Sequence, residues 1–309
     1  MSGIKYTTVD KYIIRANCIA PLHVGNSEGG RNEVLIHSSD GMPYIQASGI
    51  AGVLRTISKN VNGEEITDTL FGSPKSLLAN ESASLVKVSD GRFTSGNVMM
   101  ELRPRLRINP ETGSVNESVL KGSGSKTGHK FDMESLGRGS DFQFTLYCFG
   151  SDTKEAMNKV LSALCAEKVQ LGGQKSNGFG FIAPKEILYK HFDLTDEIGR
   201  IAWADEDILT DKDYSDILSE FKTIAQSDDE IIITVNGKTE GAILVKGIAV
   251  TRYGKDAPDV ENMKDSCDDY IIPGSSFKGI LRSRACTIAK YLGKDPLIDE
   301  AFGSRENSG

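Results

Sequence analysis

One short pattern occurs twice in this chain, and a chain assembled from duplicated patterns folds as copies of one supersecondary unit. Near the front it reads Tyr44-Ile-Gln-Ala-Ser48-Gly49-Ile50-Ala51-Gly52-Val-Leu-Arg55; late in the chain it reads Tyr270-Ile-Ile-Pro273-Gly274-Ser275-Ser276-Phe277-Lys278-Gly279-Ile-Leu-Arg282. Ser48 and Ser275, Gly52 and Gly279, and Arg55 and Arg282 are each 227 positions apart, with Ile45/Ile272 and Leu54/Leu281 in the same register. The echo continues into Phe71-Gly72-Ser73 and Phe302-Gly303-Ser304 after a slip of four residues. Two copies of one module require the least coincidence.

With 309 residues the chain is long enough for about two domains, each with its own core. The first copy runs on for more than a hundred residues beyond Phe71-Gly72-Ser73, whereas the second meets Gly309 just past its matching triplet. The expectation is therefore a piece, or a shortened form, of something longer. Five scattered cysteines (Cys18, Cys148, Cys165, Cys267, Cys286) form no C-x-x-C pair, which speaks for a reducing compartment and against a zinc site. No charged-then-apolar leader opens the sequence and no apolar run approaches membrane-spanning length, so a cytoplasmic protein is expected. A formal net charge of −7 argues against a polyanion ligand until it is mapped. Residues 191–230 hold 13 Asp and Glu against 3 Lys and Arg, so this segment carries −10 and the remainder +3. The acidity is local, and nucleic-acid binding elsewhere stays open.

Residues 8–20 read as a strand ending at Pro21-Leu22-His23-Val24-Gly25, followed by a short strand at 33–37 and a turn at Ser39-Asp40-Gly41. From Ser48, placed to cap, Ile50, Val53, Leu54 and Ile57 fall at helical spacing. A hairpin is expected over residues 83–108, then a polar Gly/Ser/Thr/Lys stretch over 111–130. Polar runs of that length inside a domain are usually mobile and often functional. Order returns with Phe131–Leu136 and a strand at 141–148, then a helix over 152–167, the glycine-rich Leu171-Gly172-Gly173-Gln-Lys175-Ser176-Asn-Gly178-Phe179-Gly180-Phe181, and a closing strand to about Tyr189. That order suits a ferredoxin-like β-α-β-β-α-β unit with an insertion between its middle elements. Residues 191–230, with the only tryptophan (Trp203) and a helix expected over 208–224, read as an acidic connector. Strands at 231–235 and 242–247 open the second module, and an acidic loop leads to Tyr270.

The Pro-Gly-Ser-Ser-x-Lys-Gly-x-x-Arg motif of Pro273–Arg282, the downstream Phe71-Gly72, the run Leu136-Gly137-Arg138-Gly139-Ser140-Asp141-Phe142-Gln143-Phe144 and the Gly172–Gly180 loop resemble the RAMP superfamily of CRISPR effector subunits. The likeness is to the repeated backbone subunit of type III complexes, in a tandem form. It implies an α+β chain of two ferredoxin-like, RRM-like RAMP modules, 1–190 and 231–309, joined by the 191–230 connector, with an inserted thumb region and an incomplete second module. It also implies an antiviral ribonucleoprotein whose partners are guide RNA (crRNA), a complementary target RNA and other subunits of the complex. Some members of the family cut the target with an acidic residue on the loop before the Pro-Gly-Ser-Ser motif. Asp259-Val-Glu-Asn-Met-Lys264-Asp265 has that spacing, which makes Asp259 and Asp265 catalytic candidates with Mg or Mn as the ion that cleavage would use. Module one carries Asn32 at the corresponding place, and Asn cannot act as a base.

The residue chemistry is compatible with a phosphate backbone as ligand. Helix starts at Ser48, Gly49 and Gly52 and at Gly274, Ser275 and Ser276 offer N–H donors; so does the loop of Gly172, Gly173, Lys175, Ser176 and Gly178. Arg55, Lys278 and Arg282 add cations, and Arg103, Arg105 and Arg107 alternate along an expected strand and so share one face. Plainer alternatives stand beside these. The glycine loop is also a helix-to-strand turn, and with Gln174 before its lysine it is not a Walker A loop. The arginine stripe and the 256–269 loop are also solvated faces, His23 also a packed imidazole, and Trp203 also a core anchor. A guide-RNA-binding subunit is the leading expectation; an endoribonuclease and a general single-strand RNA-binding protein are the alternatives.

Overall fold

The computed structural model describes residues 6–25, 33–73, 83–94, 96, 98–106, 117–119, 126–128, 130–166, 169–221, 233–247, 261–293 and 296–303. In chain order its elements are β1 (Thr8–Cys18), β2 (Tyr44–Ile45), α1 (Ala47–Asn62), α2 (Glu64–Phe71), β3 (Val86–Val88), β4 (Gly91–Phe93), β5 (Met100–Leu106), β6 (Glu117–Val119), β7 (Lys126–Gly128), β8 (Lys130–Leu136), β9 (Asp141–Phe149), α3 (Thr153–Cys165), β10 (Ile182–Asp193), α4 (Glu197–Ala204), β11 (Ser215–Asp216), α5 (Leu218–Phe221), α6 (Gly274–Leu292) and α7 (Pro296–Phe302).

Alternation in β9 sets the core. Phe142, Phe144, Leu146 and Cys148 are buried and the residues between them only half so, the two-residue period of a strand with one face on a core. Tyr12, Ile14, Ala16 and Cys18 of β1 share that face. α1 adds Ile50 and Leu54, and α3 adds Met157, Val160, Leu161 and Leu164, so the two helices pack together over the sheet. Each such side chain contributes about 2 kcal/mol by leaving water. β10 pairs with β1, β1 with β9, and β9 with β3 and β4, all antiparallel. With β3 and β4 as two pieces of one strand, the order is 4-1-3-2 of a β-α-β-β-α-β unit, the ferredoxin-like arrangement.

Antiparallel pairing also decides which loops meet. Cys18 lies opposite Ile182, Asn17 opposite Asp141, and Phe93 opposite Phe142. The end of β1, the end of β4 and the starts of β9 and β10 therefore sit at one edge of the sheet. The segment leading to α1, the long insertion and the glycine-rich loop all leave from that edge.

Five local expectations change. The 83–108 region is not one hairpin: β3 and β4 join β9, while β5 pairs with β8 across the insertion, Met100 opposite Leu136 and Leu106 opposite Lys130. Within the 111–130 stretch, β6 and β7 form a two-stranded ribbon. In place of a helix over 208–224, the chain makes a capped turn in which Thr210 and Asp213 bond each other's backbone and side chain, then β11 and α5. Short polar side chains at 210–216 compete for their own backbone and break the helix. α1 starts one residue before Ser48, and the Asp90 carboxylate rather than the serine takes its first amide, Ala47 N–H, at 2.8 Å. Residues 233–245 form no regular strand and leave Ile233 and Val235 over four-fifths exposed; among the described residues their cross-strand pairing is a bridge from Lys246 to Asn262.

The duplication is visible in hydrogen bonds. Leu35 N–H donates to Val24 O as Met263 N–H does to Val245 O. His37 N–H donates to Met42 O as Asp265 N–H does to Asp269 O, and Tyr44 N–H to Leu35 O as Ile271 N–H to Met263 O. After the four-residue slip, Arg55 pairs with Asp68 and Arg282 with Asp299, each tying the long helix to the short one behind it. α6 turns Phe277 and Leu281 to solvent, 51% and 57% exposed, where their counterparts Ile50 and Leu54 are buried.

The segment read as a connector packs on the outer face of the first sheet. Trp203 meets Tyr147, Phe149 and Phe192 edge-on at 5.6, 6.3 and 5.2 Å between ring centroids, which makes it an anchor. The acidic residues meet the bases of the sheet: Glu206 pairs with Lys11, and Asp211 with Arg15 at 2.8 Å. Two of the segment's acidic side chains are thus paired against the sheet.

Candidate nucleic-acid interface

At the loop edge, β5 packs against the glycine-rich loop. Arg103 and Arg105, two residues apart and so on one face, stand 5.3 and 5.5 Å from the centroid of the buried Phe179 ring. Their electrostatics differ. Arg103 is held by Glu101 at 2.6 Å, and both side chains are nearly buried, 11% and 8% exposed. Arg105 is half-buried, donates to the neutral Gln174 Oε1 at 2.7 Å, and meets no carboxylate among the described residues. Burial, and then the positive charge of Arg103, pull its pKa below the ordinary guanidinium value. Arg107 lies outside the described residues.

The loop's shape comes from its backbone. Gln174 sits in the left-handed region at φ 60°, and Asn177 Nδ2 donates to the same Gln174 oxygen at 2.7 Å. Gln170 stitches the turn by donating to Lys175 O and Phe179 O. Gly173 N–H donates to His23 O, and His23 Nδ1–H donates to Glu134 O at 2.7 Å, so His23 is a packed support beneath the loop. Gly172, Gly173, Lys175, Ser176 and Gly178 are exposed, and Lys175 has no ion-pair partner among the described residues.

The remaining expected contacts divide. Ser48, Gly49 and Gly52 are exposed on α1, and side-chain space at both glycines is open, so packing within the chain does not require them. The groove beside them, about 250 Å³, is lined by Ser48, Gly52, Arg55 and Phe71 among others. Arg55 itself is committed within the fold, donating to Gly72 O as well as Asp68, and Arg282 is held at 2.9 Å by Asp299. Ser275, Ser276 and Lys278 are half-buried at the start of α6, and Gly274 abuts the backbone of Asn177 in the glycine loop.

Asp265 is engaged within the fold. Its carboxylate receives Arg138 Nε at 2.9 Å and the N–H groups of Cys267 and Asp269 at 2.9 and 3.0 Å, with Arg138 reaching Asp269 as well. Burial alone would raise its pKa; the Asp269 amide, Arg138 and the Cys267 amide overcome that and hold it below the usual carboxylate range. A depressed folded-state pKa means that this contact is fully present above the ordinary carboxylate range and is lost as pH falls through the lowered value. Amide exchange across 262–272 is therefore expected to rise only below about pH 4, and the Asp265→Asn variant is expected to lose that pH dependence. Asp259 and Asn32 lie outside the described residues. Among the described residues no cluster of His, Cys, Asp or Glu is arranged to hold a metal ion, and no helix is long and apolar enough to cross a membrane.

Residues that sequence reasoning left out of the site include Glu101, Arg138, Gln174 and Asn177. Two had signals: Glu101 lies two residues from Arg103 on the same strand face, and Arg138 sits between two turn glycines.

Among solved structures, a chain in the cryo-EM structure of the Type III-B Cmr-beta bound to cognate target RNA is similar at 14% identity and a TM-score of 0.45, over 59% of this chain and 61% of that one. The chain thus spans less than two thirds of that relative's length. No curated protein matches the sequence. The family model of the RAMP superfamily matches residues 15–183, from the middle of β1 to the start of β10 and so through the whole loop edge. That match takes in more than half of the sequence, and the chain belongs to the RAMP superfamily.

Proposed function

We propose that the chain is a guide-RNA-binding backbone subunit of a type III CRISPR ribonucleoprotein, gripping the RNA backbone without reading its sequence. Arg105 carries this reading: a guanidinium on an aromatic ring, hydrogen-bonded to a neutral side chain, at the same sheet edge as exposed Lys175 and the glycine-rich loop. A cation with no carboxylate partner among the described residues, beside an exposed lysine, suits a phosphodiester chain, and neither group distinguishes one base from another. A guide has to be accepted whatever its sequence, so that indifference is fitting. The negative charge is concentrated in residues 191–230, where Glu206 and Asp211 are paired with Lys11 and Arg15 on the outer sheet face. A complementary target RNA and neighbouring subunits are the partners this role entails.

Fluorescence anisotropy with labelled single-stranded RNAs of unrelated sequence, taken through a salt series, tests the proposal. Expected are similar affinities for all the RNAs and a slope of log affinity against log salt of about −2 or steeper, three or so phosphate contacts. Absence of binding, or strong preference for one sequence, would overturn it.

A further inference from the structure

We propose that the 265–274 segment of the second copy sets the position of the Arg103–Arg105 pair in the first. This deepens the RNA-binding reading, on which its functional consequence rests. The segment touches the arginine network at two points. At one end Ser266 N–H donates to Glu101 Oε1 at 2.8 Å, while the other oxygen of the same carboxylate holds Arg103. At the other end Gly274 lies against Asn177, whose side chain shares the Gln174 oxygen with Arg105. Between the two contacts, Arg138 holds Asp265 and Asp269, and Ser266 Oγ donates to Arg138 O at 2.8 Å. Arg103 is thereby linked to the second copy through Glu101, and Arg105 through Gln174 and Asn177.

Close approach on both sides fits a seat specific to this pair of modules. A Cβ on Gly137 would collide with Ser266, and one on Gly274 with the Asn177 carbonyl. In the first copy the position equivalent to Gly274 is Ala47, whose amide meets Asp90 instead of a neighbouring loop. By the same backbone bonds the first copy carries His37, Ser38 and Met42 where the second has Asp265, Ser266 and Asp269, and its one nearby carboxylate, Asp40, is paired with Arg92 at 3.2 Å. The Arg138 clamp therefore recognises the second copy's turn and not the first's.

Glu101, Ser266, Arg138, Asp265 and Asp269 are positioning residues in this account. The decisive variant is Asp269→Arg in the full chain, a position 68% exposed and so tolerant of the change. It makes the protein more basic, and electrostatics alone would strengthen RNA binding. Release of the seat instead predicts affinity for labelled single-stranded RNA lower by about fivefold, with faster amide exchange both in 262–272 and in the glycine loop at 172–179. Asp265→Asn, nearly isosteric, is expected to act in the same direction, and Asp269→Glu to retain both readouts. Tighter binding by Asp269→Arg, or an opened 262–272 turn with unchanged exchange at 172–179, would overturn the proposal. If the unaltered chain binds no RNA, the functional reading fails, while exchange at 172–179 still decides whether the second copy holds the loop.

Discussion

Replacing Arg105 by alanine is expected to weaken single-stranded RNA binding about tenfold and to reduce the steepness of its salt dependence by about 0.7, the share of one phosphate contact. Of the arginine stripe in the described strand, only Arg105 has charge to spare: Glu101 neutralises Arg103, while Arg105 faces a neutral amide oxygen. Arg103→Ala should therefore behave differently. It strands the Glu101 carboxylate, 8% exposed, and costs about 2 kcal/mol of stability, with the salt slope left almost unchanged. Arg105→Lys keeps the charge but loses the planar group over Phe179 and the fork to Gln174, and is expected to fall between the parent and the alanine variant. Measuring the three slopes and three thermal midpoints side by side separates contact from support. An Arg105→Ala chain with the parent's slope would remove Arg105 from the interface.

The features of this fold that were legible in sequence are those set by short-range periods. Alternation at Phe142–Cys148, helical spacing in α1 and α3, and the 227-residue echo all survive as structure, since each is fixed by which residues share a face. Pairing across the insertion was not legible. β5 alternates as expected, but nothing within 98–108 says that its partner is 130–136 rather than 84–89. Charge partnership was half legible: alternation put Arg103 and Arg105 on one face, yet only the fold brings Phe179 and Gln174 to it. Arg55 and Arg282, natural RNA contacts on the motif alone, turn inward to Asp68 and Asp299. Those aspartates are 231 positions apart, the same separation as Phe71 and Phe302, so the repeat already contained the pair. The capped turn at Thr210–Asp213 escaped because its acidic and apolar content also fits a helix, and local side-chain bonds to the backbone decided the outcome.

Glu206→Ala is expected to destabilise the first module by about 3 kcal/mol, because it leaves Lys11 almost buried without its counter-charge. Lys11 lies on β1 with its side chain 9% exposed, and Glu206 is 15% exposed above it. Tyr147 OH donates to the second carboxylate oxygen at 3.0 Å, and Lys11 stands 5.5 and 5.6 Å from the Tyr147 and Tyr214 ring centroids. Burial alone would lower the Lys11 pKa; the bond to Glu206, with help from Tyr214 and Tyr147, outweighs it and holds the ammonium above its ordinary value. Removing the carboxylate leaves the burial and takes away its compensation. Urea unfolding should then shift to a midpoint about 1 M lower. Lys11→Met is expected to cost less, since Glu206 keeps Tyr147, and Lys11→Met with Glu206→Leu to recover most of the loss, because an apolar pair needs no counter-charge. A Glu206→Ala midpoint matching the parent's would mean that the 195–216 segment lies on the sheet without being held there, and that the charges of the outer face are open to other ligands. The expected shift ties the acidic segment to the sheet as its own cover, in keeping with the proposal that a polyanion is taken at the loop edge, with Arg105 and Lys175.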